Sequence, residues 1–298
     1  NSFYIPFCSN NGLLASIYSA VDIALWDINC KRTKKTFNKY LNLKQNKNFK
    51  FYFSGGSAAF NTEEITNEIN EINPKIFSGY KLRIGKANWE YDLERLQTAR
   101  KYWDKNLMID AIMGTIRPPF TIKNWKNKIN SLDKFSITWL EEPLDPENIN
   151  ELESLKRINP NIPLALGESL SSKLAIRSYL NNNYLDFLQL DVTQCGGISM
   201  LLSIMPDLLK SKKRISMHVW GSPLAFVANL KFASILPNVE WVEYPGVKLH
   251  CFTQIDKNYY SPEPDFQKYL NQPIFTDIDF LKIRDNFPYV PGTGFKMP

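Results

Sequence analysis

Between residues 49 and 245 the chain repeats one pattern, a short apolar run followed by a longer stretch with helical spacing. The runs fall at 49–53, 80–84, 107–112, 135–140, 163–166, 187–190, 214–217 and 239–242. Stretches such as 91–103, 149–158 and 224–235 separate them, and Asn61-Thr62-Glu63-Glu64 is a capping box that opens one of these helices. Strands that alternate with helices at this spacing predict a parallel sheet, and eight of them predict a closed α/β barrel. A doubly wound open sheet is the alternative, but the glycine-rich first turn that such folds carry is missing.

The ends of the chain read differently. Residues 13–40 have the period of one long helix, with Leu14, Ile17, Ala20, Val21, Ala24, Leu25 and Ile28 forming its expected core face. Residues 246–298 show no alternation and are rich in Pro, Asp and aromatics, which predicts an extension packing back toward the N-terminal part. The reading is therefore 1–45 as the end of a capping domain, 46–245 as the barrel and 246–298 as the extension. The chain begins at Asn1 without a starting Met or a secretory signal, so upstream sequence is expected.

Composition narrows the function classes. With 44% hydrophobic residues over 298 positions, a disordered or collagen-like chain is excluded. No run is expected to reach the ~20 apolar residues of a membrane helix. The net charge of +6 is spread over interleaved acidic and basic residues, and the run Lys31-Arg32-Thr33-Lys34-Lys35 suits a solvated helix end better than nucleic acid. Cys8, Cys30, Cys195 and Cys251 lie far apart, which predicts reduced thiols in a cytoplasmic protein rather than a zinc site or a disulfide frame.

In a β/α barrel the chemistry gathers at the C-terminal ends of the strands. Strand two ends in Lys81-Leu82-Arg83, and alternation puts Lys81 and Arg83 on one inward face. The following strands end at Asp110, Glu141, Glu168, Asp191, His218 and Glu243. Asp110, Glu141 and Glu168 stand on three adjacent strands, where their like charges are expected to converge on a hard divalent cation such as Mg²⁺. Asp191 and His218 occupy neighbouring strands, where a carboxylate can orient an imidazole and raise its basicity. Lys81 and Arg83 are expected across the ring from His218. Taken singly, each residue has a plainer explanation: a helix cap for an acid, a packed core histidine for His218, a solvated strand end for Lys81 and Arg83. Their joint position at seven consecutive strand ends favours a site.

Several segments also resemble a known family. Ala24-Leu25-Trp26-Asp27-Ile28, Lys81-Leu82-Arg83-Ile84-Gly85, Trp139-Leu140-Glu141-Glu142-Pro143-Leu144, Gly167-Glu168-Ser169 and Gly196-Gly197 are similar to the mandelate racemase/muconate lactonizing enzyme branch of the enolase superfamily. The resemblance runs from about residue 13 to Pro291-Gly292-Thr293-Gly294, and His218 after the strand-six Asp191 resembles the mandelate racemase subgroup with its acid-sugar dehydratases. It implies a (β/α)7β barrel and one Mg²⁺ held by Asp110, Glu141 and Glu168. It also implies an acid-sugar carboxylate as substrate, and Lys81, Arg83, Asp191, His218 and Glu243 as the catalytic set. A homo-oligomer without nucleic-acid or membrane partners is the implied assembly. The implied chemistry is removal of the proton α to the carboxylate, which is too weak an acid to lose it without cationic stabilisation of the enediolate.

Three departures bear on the reaction. Arg83 replaces the second lysine of a Lys-x-Lys motif, and a guanidinium is a poor base. Ile112 stands where relatives carry a polar Asn or His, and only the last helix of the capping domain is recognisable. Three functions remain open at this point: an acid-sugar dehydratase, a racemase or epimerase using the same enediolate, and a catalytically silent acid-binding or assembly protein.

Overall fold

The computed structural model describes residues 12–85, 88–220 and 223–246, together with two-residue strands at 261–262 and 295–296. Eight parallel strands close into a barrel in sequence order: β1 (Lys50–Ser54), β2 (Phe77–Arg83), β3 (Asn106–Asp110), β4 (Trp139–Glu141), β5 (Leu164–Leu166), β6 (Phe187–Leu190), β7 (Arg214–Met217) and β8 (Val239–Pro245). β8 pairs with β1, so the sheet has no free edge. The helices are α1 (Leu13–Thr33), α2 (Phe37–Tyr40), α3 (Thr62–Glu71), α4 (Trp89–Tyr102), α5 (Ile122–Trp125), α6 (Ile149–Ile158), α7 (Lys173–Asn181), α8 (Ile198–Ser203), α9 (Met205–Lys210) and α10 (Pro223–Ala233). Strands β9 (Ser261–Pro262) and β10 (Phe295–Lys296) pair antiparallel; the rest of the expected C-terminal extension and residues 1–11 lie outside the described residues.

Two apolar layers hold the barrel. Outward-facing strand residues such as Leu82, Ile109, Leu140 and Leu188 pack under the helices, while Tyr52, Met108, Trp139, Ala165, Phe187 and Trp241 fill the interior. The interior rings meet mainly edge to face, with Tyr52 and Trp139 at 5.2 Å and Trp139 and Trp241 at 6.1 Å, the geometry that aromatic quadrupoles favour. This plug makes the barrel solid and leaves the strand ends above it as the place for a cavity. The capping box at Asn61 forms as expected: Glu64 N donates to the Asn61 side chain, and the Glu64 carboxylate accepts from Asn61 N.

The structure corrects three expectations. The 13–40 helix is two helices, because Lys34 turns left-handed at φ 53 and Thr36 is extended before α2. The run at 135–140 is a strand only over β4, since residues Ile129–Phe135 form a 3₁₀ helix that Ser136 ends at φ 47. Most revealing, the apolar stripe expected to face the core on α1 points outward: Ile17, Val21, Leu25 and Ile28 are exposed, while Ala15, Ser19, Ile23 and Cys30 are buried.

By length and composition α1 is also sufficient to cross a bilayer, contrary to the expectation that no run reaches that length. It is nonetheless docked by polar contacts to the segment after β6. Ser16 Oγ donates to Gln194, Gly196 N to Ser19 Oγ, Ser199 N to Asp22 Oδ2, and Trp26 Nε1 to Ser199 Oγ. Small polar side chains let the two backbones approach, and Gly197, at φ 95, has no room for a Cβ beside Asp22.

Lys231 of α10 is buried, and its charge interacts with Cys30 and Asp27 of α1. Burial pushes its pKa down from 10.5 to about 7 against the opposing pull of those two groups. Between those values the unfolded chain binds more protons than the folded one, so folding stability contributed by this residue rises with pH. Urea titrations at about pH 6 and about pH 9 are expected to show a smaller pH difference for Lys231→Met than for the wild-type chain.

Candidate active site

The strand ends form one cavity of about 600 Å³, lined among others by Lys81, Arg83, Asp110, Glu168, His218 and Trp220. Its floor is ionic. Lys81, buried on β2, places Nζ 2.6 Å from Glu141 Oε1, 2.8 Å from Glu243 Oε1 and 3.6 Å from Asp110 Oδ2. Burial alone would lower the lysine pKa, but Glu141, Glu243, Tyr52 and Asp110 raise it well above its usual value. Glu243 shows the converse: burial would raise it, yet Lys81 and His218 bring it down to about 2. Its other oxygen accepts from Val219 N at 3.0 Å.

The carboxylates on β3, β4 and β5 carry the opposite imbalance. Asp110 lies directly opposite Glu141 in the parallel register. Burial moves Glu141 up to about 8; Lys81 opposes this, and Asp110, Glu243 and Glu168 add to it. Burial and Asp110 likewise raise Glu168 against the pull of His218. Glu142 is raised well above the usual range by burial and by Glu168, Asp110 and Glu141, with one oxygen bonded to Gly114 N at 3.0 Å and the other without a partner. The acids gathered here thus outnumber the cations beside them, and burial with mutual repulsion makes their ionised forms costly. All-oxygen, charge-excess donors suit a hard cation, so the chemistry of Asp110, Glu141 and Glu168 fits Mg²⁺. Of the three, Glu141 is turned inward, while Asp110 and Glu168 line the cavity. Lys81 holds one Glu141 oxygen and Trp139 Nε1 the other at 3.0 Å, and among the described residues no three His, Cys, Asp or Glu side chains are arranged to hold a metal ion as the sequence had suggested.

His218, after β7, is fixed from below. Its Nδ1 is 2.9 Å from Asp191 Oδ2, and Asp191 Oδ1 accepts from Asn229 Nδ2 at 2.8 Å and from both the backbone and the hydroxyl of Thr193. Nε2 therefore faces the cavity, 3.4 Å from Glu168 Oε2 and 3.8 Å from Glu243 Oε2. Burial would lower the imidazole pKa, but Glu168, Glu243 and the Asp191 bond raise it to about 10. That value suits an acid; a neutral imidazole requires Glu168's charge to be taken up by another cation. Gly167, at φ 128, supplies the turn that aims Glu168, and a Cβ there would come 2.8 Å from Gln189 O.

Arg83 reaches into the same cavity as Lys81 and His218. Its Nη1 donates to Gly55 O at 2.7 Å and its Nη2 to Ser54 Oγ at 3.0 Å, with Nε 3.9 Å from Asp110 Oδ2. All eight residues singled out from the strand ends therefore border or underlie one cavity. The sequence reading missed the side chains that brace them. Trp139 shares the inward face of Glu141 by simple alternation and was legible on that ground. Asn229 reaches Asp191 from α10, and no local spacing signals that. Arg95 of α4 is fully buried and donates to the carbonyls of Ser57, Phe60 and Arg83 and to Asp92 Oδ1, tying the β1–α3 loop to the end of β2.

Comparison with known proteins places the chain in a family. Residues 64–269 match the family described as enolase C-terminal domain-like. D-galactarolactone cycloisomerase of Agrobacterium fabrum is 28% identical over 292 residues, covering 96% of this chain and 72% of its own. L-talarate/galactarate dehydratase of Salmonella typhimurium is 27% identical over 236 residues, covering 78% of this chain and 56% of its own. A solved lysine-to-alanine mutant of the Salmonella enzyme, liganded with Mg and L-glucarate, superposes with a TM-score of 0.68 at 26% identity, over 79% of this chain and 57% of that one. The chain thus spans only about half to three quarters of these relatives.

Two substitutions test the bracing with opposite signs. Arg95→Met leaves Asp92 buried without its partner and is expected to cost about 3–5 kcal/mol of stability. Ile112 is a β-branched residue held at φ 54 beside Asp110, a strained conformation that Asn tolerates. Ile112→Asn is expected to gain about 1 kcal/mol. Denaturant midpoints of the two variants check both.

Proposed function

Because the chain belongs to the enolase C-terminal domain-like family, we propose that it is a hydro-lyase acting on a polyhydroxy acid. The reaction removes the proton α to the carboxylate and expels the β-hydroxyl, giving a 2-keto-3-deoxy acid. The observation that carries this reading is the Asp191–His218 pair, at 2.9 Å, with the other imidazole nitrogen directed into a cavity that also holds Lys81 and Arg83. The dehydratases among its relatives support the same class of substrate.

Asp110, Glu141 and Glu168 would hold Mg²⁺, which supplies positive charge for the substrate carboxylate and for the second negative charge that develops on it. His218 takes the α-proton at Nε2, with Asp191 fixing its orientation through Nδ1. The same imidazolium is then placed to return a proton to the departing hydroxyl. Lys81 remains an ammonium clamped by Glu141 and Glu243. Arg83, which cannot act as a base, offers N–H donors to developing oxygen charge. One usable base gives abstraction from one face, which favours elimination over racemisation.

The cycloisomerase relative, aligned over nearly the whole chain, favours one second reading. In it the leaving group is a lactone ring oxygen, and the product keeps the mass of the substrate. The two are separated by mass spectrometry of reactions with galactarate, related acid sugars and their lactones in Mg²⁺ buffer. Loss of one water is expected from an open-chain acid.

In D₂O, one epimer of a matched pair should lose or exchange its α-proton while the other stays inert. His218→Asn should abolish that exchange by at least about a thousandfold, and chelation of Mg²⁺ should abolish turnover. Equal deuterium entry into both epimers would restore the racemase reading, and the absence of both product and exchange across the panel would point to a silent binder.

A further inference from the structure

One side chain in the cavity has no part in the proton chemistry. Trp125, Trp139 and Trp241 are fully buried, whereas Trp220 is 43% exposed and lines the cavity two residues beyond His218. Its ring centroid lies 5.2 Å from Arg83 Cζ, within cation–π range. Arg83 is itself pinned by Gly55 O and Ser54 Oγ, so the indole rests on a fixed cation. The stack bridges the ends of β2 and β7, strands that are not neighbours in the barrel. It gives the cavity one broad aromatic wall. Thr115, Ser169 and Gln194 contribute polar groups to the lining elsewhere.

We propose that Trp220 is a specificity-determining residue, whose indole, braced on Arg83, receives the C–H flank of a multi-carbon polyhydroxy acid. This deepens the function proposed above and rests on it. A sugar-acid chain carries an anionic end, a series of hydroxyls and an apolar C–H flank. The cavity matches those in turn with the cationic and acidic floor, its hydroxyl and amide lining, and the indole. A two- or three-carbon hydroxy acid held at the floor has too little chain to use the wall. A large ring left exposed in a cavity forgoes burial that a stacked ligand restores.

The test measures binding by the full chain in Mg²⁺ buffer, by calorimetry and tryptophan fluorescence, for galactarate, mandelate and glycolate. Trp220→Leu should weaken galactarate by about tenfold, the scale of one lost aromatic contact, and should change glycolate far less. Trp220→Phe should recover part of the loss, and the ligand-induced fluorescence change should shrink in both variants. If galactarate is turned over, the loss should fall on KM more than on kcat. Equal weakening of galactarate and glycolate, or no weakening, overturns the role of Trp220 while leaving the hydro-lyase reading intact. Tighter binding of mandelate than of galactarate overturns the sugar-acid assignment of the wall. Failure of the wild-type chain to bind or convert any of these acids or the acid-sugar panel overturns both readings together.

Discussion

Lys81 carries its ammonium into an apolar barrel and is met there by Glu141 from β4 and Glu243 from β8, with Asp110 from β3 slightly further off. Burying one such charge unpaired costs several kcal/mol, so the cluster persists only because its members arrive together. Below it the aromatic plug excludes water and strengthens each charge interaction; above it burial and neighbouring carboxylates push the acids Glu168 and Glu142 up, with His218 opposing this at Glu168. The protonation of His218 in turn follows the charge on Glu168.

The bracing of the site uses the same economy of interior polar groups. Asp191 accepts four hydrogen bonds, one of them from His218. Arg95 spends its donors on three backbone carbonyls and one carboxylate, which holds the β1–α3 loop at the cavity wall. Side chains that face the cavity are therefore supported by others that face away from it. Arg83 belongs to both groups, since its guanidinium is anchored by Ser54 and Gly55 while its charge lies over the Trp220 ring.

Much of this was legible from the residue pattern because a parallel barrel repeats one rule eight times. Each apolar run marks a strand, and the polar residue after it marks the mouth, so Asp110 through Glu243 could be placed without coordinates. Periodicity failed where it has no sense of direction. On α1 the most apolar face is not the buried one, because docking there is achieved by Ser16, Ser19 and Asp22 against the glycines after β6. It also failed at 135–140, where Phe135 and Ile137 look strand-like but a 3₁₀ turn comes first. Spacing placed Asp110, Glu141 and Glu168 at their strand ends but could not show that Lys81 would draw Glu141 inward. Asn229 and Arg95 were invisible because each reaches the site from the helical layer.

The partners of Lys81 have a consequence for how the chain reaches its native state. Glu243 arrives only on β8, the strand whose pairing with β1 closes the barrel. That contact joins the two ends of the barrel segment, so it bears the largest loop-closure entropy of any strand pair. Until β8 docks, Lys81 and Glu243 stay hydrated, and the apolar plug lacks Trp241 as well. The charge cluster and the dry interior are therefore both completed by the strand that closes the ring. Order at the cavity end of this molecule is a property of the closed ring.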